Sequence, residues 1–115
     1  MIRHTTIEQS KHLIELGLSL ESADIRLPFM NSNGVKVGTM YNWSLGALLD
    51  VMPKIPRVEF NLVLPGIEED NPYVAFDDCR ENHQVHLNFE GNTPLEAAYN
   101  MVCWLVEQGY IKKKV

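Results

Sequence analysis

Apolar residues recur at helical spacing over the last quarter of the chain. At about 100° per residue, Leu95, Ala98, Tyr99, Val102, Leu105 and Val106 fall on one stripe, which Met101 and Cys103 widen. The ends of this helix are written in its flanks. Thr93 is placed to accept a hydrogen bond from a first-turn amide, and Glu96, three residues on, to reach back to the Thr93 amide. Pro94 takes the first helical position, where a missing N–H costs nothing. Gly109 supplies a left-handed residue to end the helix, and Lys112 to Lys114 follow on the side the helix dipole favours. The same signals open the chain. Thr6 and Gln9 form a second capping box, Gly17 closes the helix, and Ile7, Ser10, Leu13, Ile14 and Leu18 give it a narrow seam.

Between these helices the period drops to two. Ile25, Leu27 and Phe29 alternate with Arg26 and Met30, and Asn31-Ser32-Asn33-Gly34 turns the chain into Val35, Val37, Thr39 and Tyr41. Pro28 removes a ladder donor, so this strand belongs at a sheet edge. Ser44 then caps a short helix carrying Leu45, Leu48, Leu49 and Met52, with Trp43 before it as a staple; Pro53 and Pro56 end it. Val58, Phe60, Leu62 and Leu64 alternate with Arg57, Glu59 and Asn61, and Pro65-Gly66 turns the chain. Tyr73 to Asp77 is the next strand, Asp78 to Asn82 a turn, and Gln84 to Phe89 the last strand, with Val85, Leu87 and Phe89 inward. The pattern predicts one α+β domain over residues 1–115: two-layer, a mainly antiparallel sheet, order α-β-β-α-β-β-β-α, and the C-terminal helix packed across the sheet.

Composition narrows the function classes. A net charge of −5 and a single basic run, Lys112-Lys113-Lys114, argue against direct nucleic-acid binding, which needs clustered cations to displace counterions. Cys79 and Cys103 are too few for a disulfide scaffold, and both are expected as thiols. The start of the chain lacks the apolar core of a secretion signal, and no run is long enough to span a bilayer. A cytoplasmic protein with no membrane association is the expectation.

Chemistry-bearing residues crowd between Glu68 and His86. His83, His86 and Asp77 or Cys79 would be the members of a metal or hydrolytic site. Residues three apart on a strand point to opposite faces, which separates His83 from His86. There is no HExxH or CxxC, and Asp77-Asp78-Cys79-Arg80-Glu81 lacks the glycine of a calcium loop. No catalytic residue, metal ligand or cofactor is therefore assigned. Trp104 projects about 180° from Leu95, beside Ala97 and Gln108. It is expected either beneath a second element, such as the first helix or a loop, or, with Ala97 and Gln108, on an interaction surface.

Thr6 to Ser10 with Leu13 to Leu18, the segment Trp43 to Leu49, and Thr93 to Ala98 with Trp104 to Tyr110 together resemble a group of small uncharacterised proteins of gut anaerobic bacteria, often encoded on prophages or other mobile elements. The resemblance spans about half the chain and carries no known activity or catalytic residue. It implies an accessory, phage-related role. The favoured reading is a non-enzymatic interaction module, with a protein partner or a second copy. The alternatives are an acidic mimic of nucleic acid built on the Glu68 to Glu81 carboxylates, and a small hydrolase or metal enzyme using Cys79, His83 and His86.

Overall fold

The computed structural model describes residues 4–64, 71–80 and 85–112. The elements are α1 (Ile7–Leu16), β1 (Ile25–Met30), β2 (Lys36–Asn42), α2 (Leu45–Asp50), β3 (Val58–Val63), β4 (Tyr73–Asp78), β5 (Val85–Glu90) and α3 (Pro94–Glu107), with a 3-10 turn at Leu20–Ser22. This is the α+β order that the hydrophobic pattern predicts. The strands divide into two antiparallel sheets, a β1-β2 ribbon and a three-stranded sheet ordered β3-β4-β5.

Helix α3 is the hub. It packs on β4 and β5 on one side and on α1 and α2 on the other. Ala97, Ala98, Met101, Val102, Leu105 and Val106 are fully buried, so the helix keeps little wet surface along its length. The inner face of the sheet is set by register. Val58, Asp78 and Val85 lie in one row, Phe60, Phe76 and Leu87 in the next, and Leu62, Val74 and Phe89 in the third. A single helix about 10 Å across is too narrow for three strands at about 4.8 Å spacing. It covers β4 and β5, and the inner face of β3 stays half open.

The caps differ from expectation in an instructive way. Thr6 makes the full box: its hydroxyl accepts from Gln9 N–H at 3.1 Å, and Gln9 Oε1 accepts from Thr6 N–H at 2.9 Å. At α3 only half forms. Thr93 Oγ1 accepts from Glu96 N–H at 3.1 Å, but Glu96 Oε1 takes the amide of Asn92, one residue further back, at 3.4 Å. Both C-termini end as Schellman turns. Leu18 N–H donates to Leu13 O at 3.0 Å around Gly17 (φ 100°), and Tyr110 N–H donates to Leu105 O at 2.9 Å around Gly109 (φ 83°).

A buried polar knot ties the start of the chain to the base of the ribbon. Ser10 Oγ donates to Asn42 Oδ1 at 2.8 Å, so its contact with Thr5 Oγ1 at 2.7 Å uses the Thr5 proton. Trp43 N–H donates to Thr5 Oγ1 at 3.0 Å, and Thr5 N–H to Trp43 O at 2.9 Å. Trp43 itself is fully buried, its indole N–H on Ser22 Oγ at 2.9 Å. It is a core residue more than a local staple.

Gly91 links β5 to α3 where no side chain fits. A Cβ there would lie 2.4 Å from Ala97 N and 2.8 Å from the Glu96 carbonyl carbon. These are main-chain atoms of the first turn of α3, which cannot yield without moving the helix. Gly91→Ala is expected to cost on the order of 3 kcal/mol, read as a lowered denaturant midpoint. An unchanged midpoint would show that β5 does not cross α3 this closely.

Candidate functional site

Three places in the molecule bring together side chains that sequence reasoning singled out, or should have. The first is the end of β4. Asp77 and Asp78 are neighbours on a strand and so face opposite ways. Asp77 lies on the outer face, directly across from His86 in the β4–β5 register, and its Oδ1 meets His86 Nδ1. Both groups are open to solvent, the His86 side chain at 65% and that of Asp77 at 30%. Cys79 is exposed, and its main-chain N–H donates to Arg57 O at 2.8 Å. Arg57 holds that carbonyl in position with a left-handed φ of 68°, an unfavourable conformation for a side chain of this kind. No hydrogen bond joins Cys79 to His86. His83, Glu68, Glu69, Asp70 and Glu81 lie outside the described residues. Among the described residues, no group of three His, Cys, Asp or Glu side chains converges.

Asp78 faces inward, and the sequence reading missed its role by placing it in a turn. It is the last residue of β4 and fully buried. Its Oδ1 accepts from Arg80 N–H at 3.1 Å and Arg80 Nε at 3.0 Å, and its Oδ2 accepts from Arg80 Nη2 at 2.7 Å and Tyr110 Oη at 3.0 Å. The Arg80 hydrogen bonds hold the Asp78 carboxyl well below the usual carboxylate range. Burial, then the Asp78 contact, pushes the Tyr110 hydroxyl up. The guanidinium also lies 5.7 Å from the centre of the Tyr110 ring. The signal available in sequence was Gly109-Tyr110-Ile111, since the residue after a Schellman glycine packs back on its own helix. Every acceptor position of Asp78 that points into the protein is engaged, so the cluster anchors the chain and leaves no free base for chemistry.

Trp104 is covered within the chain, by the sheet and the turn after α3. Its ring lies 5.1 Å from Phe76 and 5.3 Å from Phe89, and stacks on Tyr110 at 5.6 Å and 25°. The sheet and Tyr110 cover it, not α1. The cause is that the Leu95, Ala98 and Val102 stripe turns toward α1 and α2, where Tyr99 meets His12 edge-on at 6.4 Å. The stripe opposite, including Trp104, therefore meets the sheet. Ala97 is fully buried and offers no interaction surface; Gln108, the C-cap of α3, is exposed. Cys103 is buried too, its thiol pushed up to about 11 by burial, which removes it as a nucleophile.

The second place is an apolar groove of about 580 Å³ under the open part of β3, lined by Leu49, Met52, Ile55, Val58, Phe60 and Leu62. It carries no converging acid or base.

The third is the β1-β2 ribbon. All but one of its β1 residues are exposed, and both faces are wet. Leu27, Phe29, Met30, Val35 and Val37 are 43–57% exposed, and Ile7 (55%) and Ile14 (40%) continue the surface onto α1. Of the eight large apolar side chains exposed among the described residues, only Leu64 lies elsewhere. A small cleft of about 160 Å³ joins the two parts, lined by Ile7, Ser10, Lys11 and Ile14 on α1 and by Thr39 to Asn42 on β2. No described helix is long and apolar enough to cross a membrane. No family model, curated protein or solved structure matches this chain.

Two outcomes are expected from this geometry. Trp104→Ala should cost about 3 kcal/mol in a denaturant titration of the isolated chain, because three rings, Phe76, Phe89 and Tyr110, lose a shared neighbour. An unperturbed midpoint would mean the indole is not packed on the sheet. For Asp78, the folded carboxyl titrates below the 3.8 of a free one, so it stabilises the fold fully above that pH. The stability gap between parent and Asp78→Asn is expected to be flat from about pH 5 to 8 and to close as pH falls below 3.8, where the unfolded chain takes up its proton first. A gap that stays constant into acid would exclude an ionised, Arg80-held Asp78.

Proposed function

We propose that this chain is a non-enzymatic interaction module that works through the β1-β2 ribbon and the adjoining face of α1. One observation carries the reading. Seven of the eight large apolar side chains exposed among the described residues lie on the ribbon and on α1 beside it. Exposed apolar surface of this extent marks an interaction site. A resemblance to small prophage and mobile-element proteins supports placing this contact in an accessory, phage-related role.

The rival readings have less support. An acidic mimic of nucleic acid would draw on the carboxylates from Glu68 to Glu81, of which Glu68, Glu69, Asp70 and Glu81 lie outside the described residues. Of the described carboxylates there, Asp77 is engaged by His86 and Asp78 by Arg80. A hydrolase or metal centre on Cys79, His83 and His86 would need three convergent groups, and the described residues supply the Asp77–His86 pair alone.

Phe29→Ser with Val37→Ser tests the reading. The double variant is expected to melt within a few degrees of the parent, since neither side chain is packed in the core. Its associations, measured by sedimentation and by affinity capture from the native host, should weaken roughly 100-fold, the equivalent of about 3 kcal/mol of lost burial. A variant that keeps every association of the parent would remove the ribbon as the contact surface.

A further inference from the structure

We infer that the edge of β3, with the groove beside it, takes an extended segment of another protein as a fourth strand, one with apolar residues at alternate positions and a lysine or arginine between them. This surface is separate from the ribbon. The three-stranded sheet ends in β3 on one side and β5 on the other, and register shows what each edge presents. Cys79 N–H donates to Arg57 O at 2.8 Å, so Arg57, Glu59, Asn61 and Val63 direct their main chain toward β4. Val58, Phe60, Leu62 and Leu64 direct theirs outward. The Val58 amide is spent on Ile55 O at 3.0 Å. Among the described residues, the amides and carbonyls of Phe60 and Leu62 have no partner, and no proline interrupts the strand. The β5 edge differs. Its outward residues are His86, Asn88 and Glu90, whose side chains lie on the outer face away from any groove, and Asn100 Nδ2 already donates to Glu90 O at 2.9 Å.

Edge and groove select the same occupant. On a strand that adds to β3, the residues bonded to Phe60 and Leu62 turn their side chains to the face that Phe60 and Leu62 occupy. That is the inner face, where the groove of about 580 Å³ lies between β3 and a wall of Leu49, Met52 and Ile55. A helix or a compact ligand fills the groove but leaves the edge groups unmatched, whereas an extended chain serves both. Such a strand also completes the cover that α3, packed on β4 and β5, does not give β3. The outer face supplies the charge preference. Glu59 lies there directly across from Asp77, which has His86 on its far side. Two carboxylates side by side favour a cation on the open flank, and Glu59 has no ion pair among the described residues. An added strand meets Glu59 at a position where no main-chain bonds form and side chains come closest. The same need speaks against a second copy. The outer set of β3 is Glu59, Asn61 and Val63, with no cation to offer in return.

The probe is an end-blocked, fluorescein-labelled peptide, Thr-Val-Lys-Val-Thr-Val, titrated with the whole chain and read by anisotropy. Saturable binding in the micromolar range is expected. Methylating the amide nitrogen of the valine after the lysine removes an edge bond and should weaken binding at least about tenfold. Glu59→Lys, a change at an exposed position, should weaken it roughly fivefold, and a peptide with glutamate in place of its lysine should recover the loss on that variant. A merely structural effect of Glu59→Lys does not recover in this way. The Phe29→Ser/Val37→Ser variant should bind as the parent does. No saturation up to about 1 mM would overturn the inference. So would binding indifferent to N-methylation, which means a filled groove without strand addition, or a charge swap that recovers nothing. Binding lost in the ribbon variant would move the peptide to the ribbon and overturn the β3 edge. A parent that sediments as a dimer and is dissociated by the peptide would make the occupant a second copy and overturn the foreign strand.

Discussion

The burial of α3 on two opposite sides is the constraint from which the other features follow. A helix with one wet face needs one neighbour, but a helix with Leu95, Val102 and Val106 on one side and Ala97, Met101 and Trp104 on the other needs two. The sheet supplies one and the α1–α2 pair the other. Gly91 has to be a glycine because the chain leaves β5 and enters that doubly covered helix with no room for a side chain. Asp78 and Tyr110 then lock the far end of the helix back onto β4 at 3.0 Å. The helix is thus fixed to the sheet at both ends and along its length.

Much of this was legible in the pattern of residues. The helix caps, the Asn-Gly hairpin, the alternating strands and the order of elements follow from local rules that tertiary packing did not override. What escaped was direction. The stripe Leu95, Ala98, Val102 looks like a sheet-facing surface, and nothing in a single helix says which of two apolar stripes meets a sheet and which meets helices. Trp104 was misplaced for that reason: it was read as a lone aromatic on a polar side, where Ala97 and Met101 in fact make a second stripe. The Asp78 cluster escaped for another reason. Its members are 2 and 32 residues apart in sequence, and only the strand register and the Schellman turn bring them to one point.

The polar residues that first attract a chemist's eye turn out to be spent on structure or left apart. Adjacent Asp77 and Asp78 are divided by the pleat, one to solvent and His86, the other to Arg80 and Tyr110. An aspartate whose carboxylate accepts four hydrogen bonds has no capacity left to take a proton from a substrate. Cys103 sits in the apolar interior with its thiol protonated, and Cys79 has no imidazole bonded to it. The chemistry in the described residues is that of anchoring.

In the ribbon, sequence and surroundings disagree. Ile25, Leu27 and Phe29 alternate as a strand does when one face is buried, yet no described element covers that face. Sequences keep such a pattern where something comes to cover it, because exposed strand edges with apolar faces otherwise invite aggregation. The ribbon carries devices that limit that risk to one side. Pro28 closes the β1 edge, the bulge at Phe29/Met30 twists the tip, and Thr5 takes the amide of Trp43 just beyond β2.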